Sequence, residues 1–324
     1  MAISSGFQTK NDVNVYIGTE VTMGTAAVPA TGTWHSVPVT DYSISDIQAP
    51  LSVAPQRSNS FGQQESGAVH DRTTQMFEIS LTMQGTAGVL DRICGAMYED
   101  SDATNALLGS SPATTTFQDG ETNAVPVTIM FENGGAVLAD LQYVSCMATG
   151  MELSYGVGSD GGALQVTATF VTAYEPTETT IATPSTITAT EGVSFNFYDL
   201  TVHTLGSEDL LMHDFSLSIS RPVNRVSWQS GSSYAPHGYS IGGYEVSGSL
   251  SCKRDTESQA VPTNTSVGIP LKLTGGVFDI DAPDCMVESV STDLADEGWK
   301  QSFAFRCFYD DTSESSPIVT IKTA

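Results

Sequence analysis

Positive charge is what this 324-residue chain most conspicuously lacks: Lys and Arg together number 12 against 37 Asp and Glu, a net charge of −25. The deficit is not confined to a tail. Residues 1–176 hold 18 acids and 4 Lys/Arg, and residues 177–324 hold 19 and 8. Such a chain repels nucleic acid and anionic membrane, which excludes DNA affinity as its main work and leaves room for DNA as a passing neighbour. Long apolar runs are missing too. None approaches the ~18 residues a membrane helix needs, and residues 1–18 have neither the basic nor the apolar region of a signal peptide. The expectation is a soluble protein made in the cytoplasm, with no membrane partner.

Motifs of chemistry are equally scarce. The five cysteines (Cys94, Cys146, Cys252, Cys285 and Cys307) are widely spaced, odd in number and without a CxxC, which reads as free buried thiols. The five histidines form no HExxH, HxH or close Cys/His pair, and no nucleophile elbow, Walker loop or dinucleotide fingerprint occurs. The glycines of Gly156–Gly162 precede a strand pattern, so they read as a hairpin turn without the helix N-terminus that phosphate binding requires. The acidic run Asp279–Asp284 lacks the spacing of a calcium loop and reads as a solvated turn. We therefore expect no catalytic residue, no metal and no cofactor; an enzyme or sugar-binding module would need a concave aromatic and carboxylate patch that these motifs do not supply.

What is present is period-two alternation. Phe77, Ile79, Leu81 and Met83 alternate with Glu78, Ser80, Thr82 and Gln84, and Leu164, Val166, Ala168 and Phe170 alternate with Gln165, Thr167 and Thr169. Each pattern predicts a half-buried antiparallel strand, and the chain reads as mostly β. Only Gly85 to Asp100 carries a 3.6-residue apolar stripe, predicting one packing helix over about 86–99. A Thr-, Pro- and Glu-rich stretch at 177–192 reads as a linker between a first domain, 1–176, and a shorter second, 193–324.

The two halves repeat one another. Asp41–Ser45 matches Asp214–Ser218 at an offset of 173, Phe77–Ser80 matches Tyr244–Ser247 at 167, and Cys146-Met147 matches Cys285-Met286 at 139. Matches in the same order, with one insertion between residues 84 and 145, predict a tandem duplication. Each half also carries a long turn-rich excursion, Asp46–Thr74 and Arg221–Gly243, holding Arg and His in a chain poor in both. Connections of that length suit arms that reach a neighbouring subunit. Their candidate contact residues are Arg57, His70, Arg72, Arg221, Arg225, Trp228, Tyr234, His237 and Tyr239.

The opening Val13–Glu20, followed by Met23-Gly24-Thr25 and Trp34–Pro38, resembles the major tail tube proteins of long-tailed (siphovirus-type) bacteriophages. So do the strand pair with its long loop and the late strand Gly162–Phe170. The resemblance implies two tandem β-sandwich or barrel domains with a flanking helix, in subunits that share strands in closed rings. Stacked rings would form a hollow virion tail through which DNA passes. A duplicated chain would imply a pseudo-hexameric trimer, with its arms joining rings and tape-measure and tail terminator proteins as further partners. A conduit for a polyanion needs an acidic, hydroxyl-rich wall. The polar strand faces offer Asp41, Ser43, Ser45, Glu78, Ser80 and Thr82, then Asp214, Ser216, Ser218, Glu245, Ser247, Ser249 and Ser251. The alternative is a capsid decoration or fibre β-protein with no axial channel.

Overall fold

The computed structural model describes residues 13–29, 34–47, 51–53, 68–70, 75–97, 114–117, 126–133, 139–157, 162–179, 181–185, 187–189, 194–226, 236–263, 267–275, 278–295, 298–309 and 318–323. The chain is mostly β. Its first half contributes β1 (Val13–Thr19), β2 (Trp34–Val37), β3 (Val39–Ile47), β4 (Leu51–Val53), β5 (Ala68–His70) and β6 (Met76–Gln84). Then come α1 (Ala87–Met97), β7 (Thr114–Phe117), β8 (Val127–Asn133), β9 (Asp140–Gly156) and β10 (Gln165–Thr172). The short β11 (Thr177–Thr179) and β12 (Ile187–Ala189) follow. The rest comprises β13 (Val202–Leu205), β14 (Glu208–Asp209), β15 (Met212–Ser220), β16 (Val223–Val226), β17 (Gly238–Ile241) and β18 (Glu245–Lys253). It ends with α2 (Thr256–Ala260), β19 (Ile269–Thr274), β20 (Phe278–Ala295), β21 (Gly298–Cys307) and β22 (Val319–Thr323).

Alternation decides these strands. In β6 the apolar positions Phe77, Ile79, Leu81 and Met83 are buried while Glu78, Ser80 and Thr82 are half-exposed. β15 does the same with Phe215, Leu217 and Ile219. Eight strands then pair side by side, all antiparallel, in the order β3-β6-β10-β9-β15-β18-β21-β20. The middle of this run, β9 against β15, joins the first half to the second.

The same pairing plan occurs on both sides of that seam. β9 is 17 residues long: its later part belongs to the eight-strand run, while its earlier part pairs with β8 and β11. β20, 18 residues long, likewise pairs with β19 and β22 before continuing along β21. β8 continues to β1 and β2, as β19 does to β13 and β14. Even the irregularities correspond: the ladder slips beside Cys146 and beside Cys285, and again at Thr149 and at Glu288. A third slip precedes Asp41 in β3 and Asp214 in β15. The register sets the first and third sequence matches where the residues placed them. It shifts the second by two, so that Met83 and Thr82 stand where Cys252 and Ser251 do. A two-residue slip keeps the same face, so alternation alone could not detect it.

One apolar core spans both halves, running from Val15 and Ile79 through Leu153 and Leu217 to Phe303 and Ile321. The helix α1 buries Val89, Leu90, Ile93 and Met97 in it, and Thr86 caps the helix by accepting the Val89 amide. The second half holds a single-turn helix in the matching place, α2, which was not expected because one turn carries no apolar stripe. Its signal was the capping box Asp255/Ser258, in which each side chain accepts the other's backbone amide. Two further expectations are corrected. The acidic run Asp279–Asp284 is part of β20 rather than a turn, with Asp281 3.6 Å from Lys272. Residues 177–192, read as a linker, include β11 on β9 and β12 on β2. All five cysteines are buried and free.

A smaller core of Tyr16, Ala27, Trp34 and Met130 explains part of the opening motif. Trp34 is fully buried and donates its indole N–H to Val28 O at 3.3 Å. A Cβ at Gly18 would lie 2.8 Å from that ring, so only glycine fits there. Replacing Trp34 by Ala should cost about 3–5 kcal/mol, read by urea unfolding of the whole chain; a loss under about 1 kcal/mol would show that this core does not hold the first half together.

Candidate functional site

The thirteen hydroxyl and carboxylate side chains singled out from the sequence come together on one face of the eight-strand run. One cross-strand row reads Asp41, Thr82, Thr167, Glu152, Ser218, Ser247 and Arg306. A neighbouring row reads Ser43, Ser80, Thr169, Gly150, Ser220 and Glu245. On the other side run Gln84, Gln165, Ser154, Ser216, Ser249, Ala304 and Ser289. Ser45 pairs with Glu78, and Asp214 with Ser251. Asp41, Ser43, Ser45, Asp214, Glu245, Ser247 and Ser249 are exposed; Glu78, Ser80, Thr82, Ser216, Ser218 and Ser251 are half-buried.

Some of the polar groups on this face bond to one another. Ser216 and Ser249 lie 2.9 Å apart, Thr82 and Thr167 3.3 Å apart, and Ser251 donates to Asp214 at 2.9 Å. Sequence reasoning missed Glu152, whose signal was the alternation of Met151, Leu153 and Tyr155 around it. It also missed the cations that β18 and β21 bring to the same face: Lys253, Lys300 and Arg306 in the second half, with Arg306 3.6 Å from Glu245. The first half of the face has Asp41, Glu78 and Glu152 and no Lys or Arg on the strands that build it. An open depression of about 510 Å³ lies over the seam, lined by Glu152, Thr167, Ser218 and Arg221 among others. Among the described residues no group of three or more His, Cys, Asp or Glu is placed to hold a metal.

Both excursions form two-stranded hairpins, β4–β5 and β16–β17. Arg57, Arg72, Trp228 and Tyr234 lie outside the described residues, and of His70 only the backbone, in β5, is described. His237 is exposed. The other three arm residues are turned inward. Tyr239 accepts the Ala173 amide through its hydroxyl at 2.9 Å, and Arg225 donates to Gln75 O at 3.0 Å. Val223 joins a small apolar cluster with Met147 and Val171. The second hairpin is thereby clamped on the first half of its own chain. Arg221 is the clear correction: it is only 3 % exposed, donates to Ala148 O and Tyr244 Oη at 3.2 Å each, and stacks over the Tyr244 ring. Tyr244 in turn donates to Met97 O at the end of α1. Arg221 is an internal pin, not an exposed contact, and burial pulls its pKa down from the usual guanidinium value.

The opening motif contains a second device the sequence did not reveal. Glu20 is buried, and its carboxylate accepts from the Thr128 hydroxyl (2.7 Å), the Ser145 amide (2.6 Å) and the Ser145 hydroxyl (2.7 Å). Gly24 donates its amide to Ser145 Oγ at 2.6 Å from a left-handed conformation, φ 79°. Ser145, itself at φ 48°, sits where β9 slips against β8. Glu20 thus ties the turn after β1 to the bend in β9. Burial raises its pKa, and the hydrogen bonds from Ser145 and Thr128 offset part of that rise.

Two outcomes follow for these groups. Arg221→Ala should destabilise the chain by about 3–5 kcal/mol, since it leaves an opened cavity and orphaned acceptors; it should not abolish self-association of the fraction that folds, which sedimentation would read. Glu20→Ala should cost about 1–3 kcal/mol by leaving the Ser145 amide unpartnered. Because the folded carboxyl has the raised pKa, its contribution is greatest below the ordinary Glu pKa and shrinks as pH climbs through the folded value. The gap in melting temperature between parent and variant should therefore narrow from acid to neutral pH; a widening gap would reverse the assignment.

Comparison with known proteins agrees with this architecture. A family model described as phage tail tube protein matches residues 10–306, which covers nearly the whole chain. No curated protein matches closely enough to count as a relative. A continuous β-sheet with one hydroxyl- and acid-rich face, flanked by hairpin arms and matched over that length, identifies the chain as a member of the phage tail tube protein family.

Proposed function

We propose that this structural tail protein assembles with itself into closed rings of three copies that stack into a hollow tube for DNA delivery, with the polar sheet face turned to the lumen. The observation that carries the reading is the unbroken eight-strand run, whose polar face continues in register across the seam between halves. The wall suits its cargo. Carboxylates repel phosphate, and small neutral hydroxyls add no positive charge to grip it. Of the three cations in the second half, Arg306 lies 3.6 Å from Glu245 and Lys300 stands opposite Asp293, which offsets part of their pull on phosphate.

The recurring pairing plan, with its three matching slips, supports a tandem duplication. The halves nevertheless share one core and one seam, so the first domain (1–176) and second (193–324) form a single body. Two equivalent halves per copy make a trimer imitate six-fold symmetry. The hairpin tips, including His237, are the parts left to touch the adjoining ring, and the ends of the tube are where tape-measure and terminator proteins would meet it. The chain works by assembly, with no catalytic role, in a virion tail built from subunits made in the host cytoplasm.

Electron microscopy of the purified chain at rising concentration, with class averages along the axis, tests this. Hollow rings or tubes with a three-fold outline are expected; solid fibres or dispersed monomers at high concentration would transfer the protein to a decoration or fibre role. The wall makes its own prediction. The parent tube should show no DNA retention at physiological salt, whereas replacing Glu78, Glu152, Asp214 and Glu245 by Lys should create salt-sensitive DNA binding with a Kd of roughly 10⁻⁴–10⁻⁶ M. Unchanged DNA behaviour in that variant's tubes would mean these side chains face elsewhere.

A further inference from the structure

The intrachain seam is a template for the contact between copies. Within the chain, β15 lies against the later part of β9, from Asp214 opposite Gly156 to Ser220 opposite Gly150. The strands that occupy the corresponding places on the outer ends of the run are β20 and β3. Among the described residues, β20 pairs from Ser289 onwards only with β21, and β3 pairs only with β6. Among the described residues no second strand is laid along either end, and the two end strands run in the directions that β9 and β15 have at the seam.

Burial at these edges is what a missing neighbour would produce. At the seam Met151, Leu153 and Tyr155 of β9 are at most 5 % exposed, and Phe215 and Leu217 of β15 at most 4 %. Their counterparts in β20, set by the slips at Thr149 and Glu288 and by Cys146 and Cys285, are Val290, Thr292 and Leu294. Val290 is 40 % and Leu294 61 % exposed, and all of Glu288–Leu294 is open on both faces. In β3, Tyr42 and Ile44 stand in the places of Phe215 and Leu217 and are only half-buried. Two apolar, half-covered edges of this kind are an aggregation hazard unless each covers the other.

We infer that the free edge of β20 over Ser289–Ala295 pairs antiparallel with β3 of the next copy, repeating the β9–β15 seam in a fixed register: Asp41 opposite Ala295, Ser43 opposite Asp293 and Ser45 opposite Ser291. Leu294 then meets Tyr42, as Tyr155 meets Phe215 within the chain. Because one end of the run binds the other end of the next copy, the contact is head-to-tail and closes into a ring when the rotation returns. The polar rows pass from copy to copy in step. The same relation seats the following hairpin, β4–β5, over Met286 and the exposed Phe308 of the neighbour, as β16–β17 sits over Met147 and Ala173.

This inference rests on the ring reading, and the test separates the two. A Ser45→Cys/Ser291→Cys chain, assembled and then oxidised, should convert nearly all of its material to covalent trimers on a non-reducing gel, since opposite strand positions lie within disulfide reach. The Ser45→Cys/Asp293→Cys pair, two residues out of step, should give at least ~10-fold less, and the native thiols, all buried, should contribute little background. Microscopy of the same samples under reducing conditions reports on rings independently. Rings without cross-links, or stronger cross-linking in the shifted pair, would overturn the register while leaving the tube reading intact. Absence of rings from the reduced parent chain would remove both.

Discussion

The backbone ladder between β9 and β15 is the constraint on which the rest depends. Seven consecutive residue pairs join the two halves there and make one sheet out of two four-strand runs. Side chains alternate strictly along a strand, so the register of this ladder decides which residues of both halves share a face. A slip of one residue would turn Ser216 and Ser218 into the core and set Leu217 beside solvent. The slips at Thr149 and before Asp214 fall just outside the seam and set its phase.

Around that seam the chain divides its polar groups into two kinds. Two buried ones have several partners each: Glu20 has Thr128 and Ser145, and Arg221 has Ala148 and Tyr244. They sit where the backbone bends or a hairpin leaves the sheet, and they hold those departures in place. The exposed ones are the Ser, Thr, Asp and Glu of the wide face, a few of which bond to one another, as Ser216 does to Ser249 and Ser251 to Asp214. A surface of that kind keeps its shape without offering a specific site. The exposed Arg306–Glu245 pair adds little to stability, because solvent screens it. Its effect is to neutralise an acid locally, which makes the second half of the face less negative than the first.

Much of this was legible in the residues. Alternation located β6, β10, β15 and β18, the 3.6-residue stripe located α1 to within two residues at either end, and the thirteen polar positions did reach one face. Less legible were features whose cause is distant in sequence. Glu20 looks like any strand-end acid until Ser145, 125 residues away, donates to it. Arg221 opens a turn-rich, Arg-bearing stretch and so read as exposed, yet Ala148 O and the Tyr244 hydroxyl draw it inside. Asp279 and Asp281 read as a turn because acids and a proline cluster there; pairing with β19 and β22 on either side overrides that local preference.

By itself, then, the sequence determined that the chain is mostly β, strongly acidic, free of recognisable catalytic motifs and patterned alike in its two halves, because composition and period-two alternation are local properties that any strand pairing must respect. Which strands pair, where the ladder slips, and which strands end the run among the described residues were decided only by the tertiary structure. The physical reason is that alternation assigns a residue to a face but leaves strand order and even-numbered shifts in register free. Those are chosen by contacts between residues far apart in the chain, such as Asp214 and Gly156 across the seam, competing for the same core.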